Sequence, residues 1–140
     1  MDTNPVDRFI DAIEHAALEE TECFADDAVL DATVPNWRFA VHGGAAVRRE
    51  FARWYGHPGR FENLRRIPLP DGELVEFTLS WIEGGVPHQC HQAHRLVVAD
   101  DGIVADTVWC GGRWPAALLA EMEAVGGTAS GGAGTGAAGR

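Results

Sequence analysis

Residues 74–110 decide the fold, and they read LVEFTLSWIEGGVPHQCHQAHRLVVADDGIVADTVWC. Hydrophobic and polar residues alternate over residues 74–81, a pattern typical of a strand with one buried face. The apolar members of that face are Val75, Phe77, Leu79 and Trp81. Two turns rich in glycine and aspartate then separate residues 88–98 and 103–110, which predicts further strands of an antiparallel meander.

Segments with the helical spacing of apolar residues precede this meander. Residues 5–18 follow the period of an amphipathic helix, with Asn4 as a suitable N-cap and Pro5 in the first turn. A short helical segment is predicted over residues 18–24. Residues 45–55 form another amphipathic helix after Gly43 and Gly44.

The other segments are shorter or weaker. Residues 29–34 predict a strand that stops at Pro35 and Asn36, and residues 61–68 predict a weaker strand. Residues 114–124 have the composition of a terminal helix. The chain is therefore expected to be a single α+β domain over residues 1–125, in which a curved antiparallel sheet wraps around helices.

The C-terminal segment has a different composition from the rest. Residues 126–140 are rich in glycine and alanine and contain too little apolar surface to offset the entropy lost on ordering. We expect a disordered tail there.

Charge and cysteine content restrict the partners and the compartment. Eleven basic residues, all arginine, stand against 21 acidic residues, and the net charge of −10 argues against a nucleic-acid partner or an anionic membrane. Six of the arginines fall within residues 48–66, where they form a local cationic region. Three cysteines, and an N-terminus without a basic segment or an apolar run, favour a cytoplasmic protein.

The densest polar cluster in the meander spans residues 88–95. Because side chains alternate along a strand, one face carries His88, Cys90, Gln92 and His94. We expect this face to point inward, since the opposite face contains the easily solvated Arg95. A buried polar group without a partner costs about 1–3 kcal/mol of stability, so a row of such groups indicates a functional site.

Histidine is the natural general acid or base near neutral pH, and His94 is the candidate proton-transfer residue. Asp106 or Asp31 would supply the neighbouring carboxylate. A hairpin loop of residues 99–102 would pair His94 with Thr107 and turn Asp106 outward, whereas a loop of odd length would turn it inward. His88, Cys90 and Gln92 would contact the substrate oxygen.

Aromatic residues could form the walls of a pocket for a flat apolar molecule, or they could be ordinary core residues. The candidates are Trp37, Trp54, Phe77, Trp81 and Trp109.

Two other kinds of chemistry stay open. His88, Cys90 and His94 are acceptable zinc ligands, although residues two apart on a strand lie about 6.5–7 Å apart and converge poorly. Cys90 could serve as a nucleophile, but no oriented base or cation is visible beside it. We therefore expect no metal and no organic cofactor.

Three short segments give the element order a resemblance to a known superfamily. They are Phe24-Ala25-Asp26-Asp27-Ala28-Val29, His42-Gly43-Gly44-Ala45-Ala46-Val47-Arg48 and Asp101-Gly102-Ile103-Val104. The order of helices and strands around them resembles the nuclear-transport-factor-2-like superfamily, within it the SnoaL-like branch of polyketide cyclases and ketosteroid-isomerase relatives. The resemblance implies a cone-shaped, cystatin-like roll around a pocket, and a homodimer formed through the outer face of the sheet.

The resemblance also bears on the site. The tyrosine, carboxylic acid and aspartate of ketosteroid isomerases fall near Phe9, His94 and Ala32 here, so that machinery is not carried over. SnoaL-like cyclases use a histidine and an aspartate on the last two strands, which resembles His94 and Asp106. The leading hypothesis is an acid–base cyclase, isomerase or dehydratase for a small, mostly apolar or aromatic carbonyl compound. The alternative is a binding or dimerisation module that catalyses nothing.

Overall fold

Three helices pack against a seven-stranded sheet in the computed structural model, which describes residues 4–100 and 102–126. In chain order the elements are α1 (Pro5–His15), a 3-10 turn (Leu18–Glu20), β1 (Phe24–Val34), β2 (Trp37–His42), α2 (Gly44–Trp54), β3 (Gly59–Leu69), β4 (Gly72–Glu83), β5 (Val86–Ala99), β6 (Gly102–Cys110), β7 (Trp114–Pro115) and α3 (Ala116–Ala124). The α+β fold class predicted from the sequence is confirmed.

The first helix begins as predicted and ends early. The side chain of Asn4 accepts a hydrogen bond from the backbone N–H of Asp7 at 2.8 Å, which satisfies one free donor of the first turn. Ala16 adopts a left-handed conformation with φ of 55° and terminates the helix. The helix predicted over residues 18–24 is wrong beyond its 3-10 turn, because Phe24 already begins β1.

Paired glycines position the second helix. Gly43 has a φ of +100°, a conformation that favours glycine. A Cβ atom on Gly44 would lie 2.2 Å from the backbone oxygen of Ala25, so a glycine is required for α2 to approach β1 this closely. The predicted helix over residues 45–55 agrees with the structure to within one residue at each end.

The strands follow the order β2-β1-β6-β5-β4-β3, and β7 adds to β5. All pairings are antiparallel except that of β1 with β6, which is parallel and makes the sheet mixed. The sequence prediction missed β2, which pairs with β1 after a turn where Asn36 has a φ of 63°. Its inward-facing residues, Phe39 and Val41, are only half-buried, so the strand carries a weak hydrophobic signal.

The hydrophobic core fills the space between one face of the sheet and the helices α1 and α2. Its fully buried helical members include Phe9, Ile13, Val47 and Phe51. Opposite them lie buried residues of the strands, which include Leu30 and Ala32, then Val75, Phe77, Leu79 and Trp81, then Cys90 and Leu96, and then Ile103 and Val108. We refer to this covered side of the sheet as the inner face and to the other side as the outer face.

A β-bulge sets the register of β5 and β6. Ala99 pairs with Gly102 and Val98 with Ile103, as expected for a hairpin loop of residues 99–102. The register then shifts, since Val97 pairs with Ala105 and leaves Val104 as the extra residue. Beyond this bulge His94 faces Val108, and Asp106 turns to the inner face, opposite Leu96.

Within residues 4–100 and 102–126, no helix has both the length and the apolar character needed to cross a membrane. The predicted disordered tail falls, apart from Gly126, outside the described residues and stays a prediction.

Candidate active site

Strand β5 carries a row of polar side chains on its inner face. Cys90, Gln92 and His94 are buried there, and Arg95 points to the outer face, where it pairs with Asp71 at 3.3 Å. The predicted assignment of the even-numbered side chains to the inside is therefore confirmed. His88 shares their side of the strand but lies only half-buried, near the start of β5.

His94 and Asp106 form a buried pair in the middle of the sheet. The Nδ1 atom of His94 lies 2.8 Å from one carboxylate oxygen of Asp106 and 3.1 Å from the other. Both side chains are almost fully enclosed, with exposed fractions of 0% and 1%. Because a carboxylate only accepts hydrogen bonds, Nδ1 carries a proton and donates it, which leaves Nε2 for chemistry.

The Nε2 atom of His94 meets two polar groups. It lies 3.1 Å from the hydroxyl oxygen of Tyr55 and 3.2 Å from Oε1 of Gln92. The Tyr55 hydroxyl also donates to Gln92 Oε1, and the amide nitrogen of Gln92 donates to the sulfur of Cys110 at 3.2 Å. A continuous chain of contacts therefore runs from Asp106 through His94 and Gln92 to Cys110.

Tyr55 was missed by the sequence prediction of the site. It caps the C-terminal end of α2 and is fully buried, and this burial, with smaller contributions from nearby acidic groups, raises its pKa well above the ordinary value. Tyr55 is therefore a hydrogen-bond donor and not a base. The available signal is that it is the single tyrosine of the chain and sits at the end of an apolar helix face.

Three phenylalanines surround the His94 ring. The centroids of Phe9, Phe51 and Phe77 lie 5.4, 5.7 and 5.7 Å from the imidazole centroid, and Phe77 stacks on it. Such walls exclude water and strengthen the electrostatic interaction between His94 and Asp106. Phe77, predicted as a substrate contact, instead supports the histidine.

A cavity of about 430 Å³ opens beside this network. Its walls include Trp54, Leu79 and Trp81, and its polar lining includes Cys90, Gln92 and Cys110. Gln92 belongs to both the cavity wall and the buried network, whereas His94, Tyr55 and Asp106 are not among the lining residues. The side chain of Gln92 therefore separates His94 from the cavity.

Several predicted site residues lie elsewhere. Trp37 is 69% exposed at the start of an edge strand, and Trp109 is 48% exposed on the outer face, so neither lines the cavity beside Gln92. Asp31 also points to the outer face, where Arg38 binds it at 2.8 and 3.0 Å and lowers its pKa. The expectation that Asp31 could reach the pocket is wrong, because its parity on β1 turns it away from His94.

His88 is not brought to the cavity. Its ring stacks on Trp81 with centroids 5.6 Å apart, and its Nδ1 lies 2.8 Å from the backbone oxygen of Val86. His88 therefore packs on Trp81, a wall of the cavity, without lining the cavity itself.

The structure supports neither a nucleophilic cysteine nor a zinc site on β5. Burial raises the pKa of the Cys90 thiol to about 12, which disfavours a nucleophilic thiolate. Among residues 4–100 and 102–126, the group of ligand atoms that lies close enough for a metal consists of the exposed Asp11, Glu14 and His15. His88, Cys90 and His94 do not converge in that way.

Sequence comparisons assign the chain to no family. No model of a known protein family matches the sequence. Over 105 residues, or 70% of this chain, it is 27% identical to an orotidine 5'-phosphate decarboxylase of Haloarcula marismortui, and the match spans 38% of that protein. The chain thus covers less than half of that relative, and this level of identity assigns it to no family.

Solved structures give a clearer answer. A hypothetical protein of Catenulispora acidiphila with a ketosteroid isomerase-like fold, in complex with trimethylamine, aligns with a TM-score of 0.57 and 17% identity over 86% of this chain and 92% of its own. An epoxide hydrolase of M. tuberculosis described as LEH-like aligns with a TM-score of 0.55 and 20% identity over 76% and 79%. An NTF-2-like protein of unknown function from Burkholderia xenovorans aligns at 0.54 and 19% over 76% and 80%. The chain has the nuclear-transport-factor-2-like fold.

Proposed function

We propose that the protein is a cofactor-independent acid–base enzyme that acts on a small, mostly apolar carbonyl compound in the cavity beside Gln92. A cyclase, isomerase or dehydratase of the SnoaL-like kind has this chemistry. The observation that carries the proposal is the buried Asp106–His94 pair, whose second ring nitrogen, Nε2, contacts Tyr55 and the cavity-wall residue Gln92.

The proposed chemistry is the removal and return of one proton. His94 Nε2 takes a proton from the carbon next to the carbonyl, and the electron pair of that C–H bond moves to the carbonyl oxygen. The Tyr55 hydroxyl donates a hydrogen bond to the developing enolate oxygen. Asp106 stabilises the imidazolium through Nδ1, and Nε2 then returns the proton to carbon or to a departing oxygen.

Gln92 must move for this contact to form. Its Oε1 contacts both Tyr55 and His94 and so occupies the position that a substrate oxygen would take. A substrate carbonyl would replace this amide oxygen, and the displaced Gln92 would keep its contact with Cys110. Since one amide oxygen is exchanged for one carbonyl oxygen, the hydrogen bond of Tyr55 is preserved.

Hydrogen–deuterium exchange of 2-tetralone, an apolar bicyclic ketone, tests the proposal. Followed by proton NMR in D₂O, the wild-type protein should accelerate exchange at the carbons next to the carbonyl, and His94→Gln should reduce this rate by about 100-fold or more. The matched control is His91→Gln, which changes a histidine on the outer face of the same strand and should retain the wild-type rate.

An equal exchange rate in His94→Gln and the wild type, with both proteins folded by circular dichroism, would overturn the catalytic role. Ligand binding without any exchange would support the alternative of a pocket protein that only binds. These two results are distinguishable because binding and exchange are measured on the same samples.

A further inference from the structure

The cavity is lined by two arginines that the acid–base mechanism does not use. Arg53 comes from the last turn of α2, and Arg113 comes from the segment between β6 and β7. Every other described residue that lines this cavity is uncharged. Two distant parts of the chain therefore bring positive charge to one apolar pocket of a protein whose net charge is −10.

Each arginine is held by a glutamate that also binds a tryptophan of the cavity wall. Glu50 accepts from Arg53 Nη2 at 3.1 Å and from the indole nitrogen of Trp54 at 2.9 Å. Glu83 holds Arg113 Nη2 at 2.6 Å and accepts from the indole nitrogen of Trp81 at 2.9 Å. The two glutamates are not among the lining residues, so they contact the arginines from outside the cavity.

This arrangement leaves donors for a ligand. A guanidinium has five N–H donors in a planar fork, and the contacts with the glutamates use one nitrogen of each arginine. The guanidinium of Arg113 also lies 5.1 Å from the centre of the Trp81 ring, which limits its rotation. Planar, oriented guanidinium groups recognise carboxylates through paired hydrogen bonds.

We infer that the ligand of this cavity is a flat apolar keto acid whose carboxylate binds Arg53 and Arg113 while its carbonyl end faces Gln92. Only the placement of the carbonyl end rests on the proposed function. A single negative charge is favoured over a phosphate dianion, because Glu50 and Glu83 already offset much of the arginine charge. Trp54 and Trp81 provide the apolar walls between the two ends.

Calorimetric titration of the full chain with two matched probes tests the inference. Naphthalene-2-carboxylate carries the charge, and naphthalene-2-carboxamide has the same shape without it. The carboxylate should bind about tenfold more tightly than the amide, a preference that corresponds to about one charge-assisted hydrogen bond. Arg113→Ala should remove most of this preference, and Arg113→Lys should retain part of it, since the charge is kept but the fork is lost.

Arg95→Ala is the control. Like Arg113, Arg95 is a half-exposed arginine paired with one acid, and the side-chain exposed fractions are 42% and 48%, but Arg95 lies on the outer face. Its variant should bind both probes as the wild type does.

Equal affinities of the two probes for the wild type would overturn the inference, as would failure of the carboxylate to bind at millimolar concentration. An equal loss in Arg95→Ala and Arg113→Ala would also contradict it. Failure of the proposed function gives a different result. In that case His94→Gln would exchange the protons of 2-tetralone at the wild-type rate, while the preference for the carboxylate probe would remain.

Discussion

Two histidines three residues apart on β5 occupy opposite environments. His94 lies on the inner face, fully enclosed, with Asp106 at 2.8 Å and three phenylalanines around its ring. His91 lies on the outer face with a side chain that is 52% exposed, where Thr78 contacts it at 2.8 Å and Glu76 at 3.8 Å. Each histidine has an acidic neighbour, so residue type and local charge do not distinguish them.

Strand parity and packing make the difference. On the inner face, water is excluded and the hydrogen bonds of His94 are fixed, so a proton can be held at one defined atom. On the outer face, solvent competes for His91 and screens its interaction with Glu76. The comparison teaches that the environment of a histidine depends on the face of the strand that carries it, and not on the residue type or the nearby acid.

The largest expected stability difference between the faces comes from the aromatic wall. Phe77→Ala should lower the free energy of unfolding by about 3–5 kcal/mol, because a buried ring that stacks on His94 is replaced by a cavity. Its neighbour Thr78→Ala, on the outer face, should change the value by less than about 0.5 kcal/mol. Urea denaturation of both variants measures the difference, and similar losses would contradict the assignment of the faces.

The next effect concerns the two acidic neighbours. Asp106→Asn should cost about 3 kcal/mol of unfolding free energy, because the buried Nδ1–H of His94 loses its charged acceptor. It should also slow 2-tetralone exchange by about 100-fold, because the imidazolium formed during the reaction loses its counter-charge. Glu76→Gln, the matching change beside His91, should leave both values near those of the wild type. If Asp106→Asn kept the full exchange rate, Asp106 would have a purely structural role.

A smaller effect is expected from Tyr55, which completes the inner network. Tyr55→Phe should slow exchange by about tenfold and lower stability by about 1–2 kcal/mol, since the ring stays and a single buried hydrogen bond is lost. The variant should keep its affinity for ligands that lack an oxygen. Unchanged exchange would show that another group binds the enolate oxygen.

The outer face offers a different prediction, that of a homodimer. Trp109 is 48% exposed there, and a second copy that packs on it would cover this apolar surface. The wild type should elute from size exclusion at twice the monomer mass of 15.1 kDa, and Trp109→Arg should shift it toward the monomer. A wild-type monomer at micromolar concentration would contradict the prediction.

Much of this comparison follows from the sequence. Alternation over residues 74–81 and 88–98 predicts which side chains share a face, and the solvated Arg95 indicates which face is outside. Asn4 and the paired glycines likewise predict where α1 and α2 begin. These are local signals, in which a residue and its near neighbours carry the information.

The remaining parts depend on contacts between distant residues. The bulge at Val104 turns Asp106 inward, and a β-branched apolar residue there has no distinctive local signature. Tyr55 contacts His94, a residue 39 positions away in the sequence. Arg53 and Arg113 are likewise distant in the sequence and line the same cavity in the folded chain. Trp37 and Trp109 are exposed because their strand positions, and not their hydrophobicity, decide where they point.

Nitrogen-15 NMR of the histidine side chains, recorded while 2-tetralone is added, tests the central claim most directly. We predict that the Nε2 signal of His94 moves as Gln92 gives way to the ketone oxygen, while Nδ1 keeps its hydrogen bond to Asp106 and both signals of His91 stay in place. A ketone that binds and leaves the His94 signals unchanged would contradict the account.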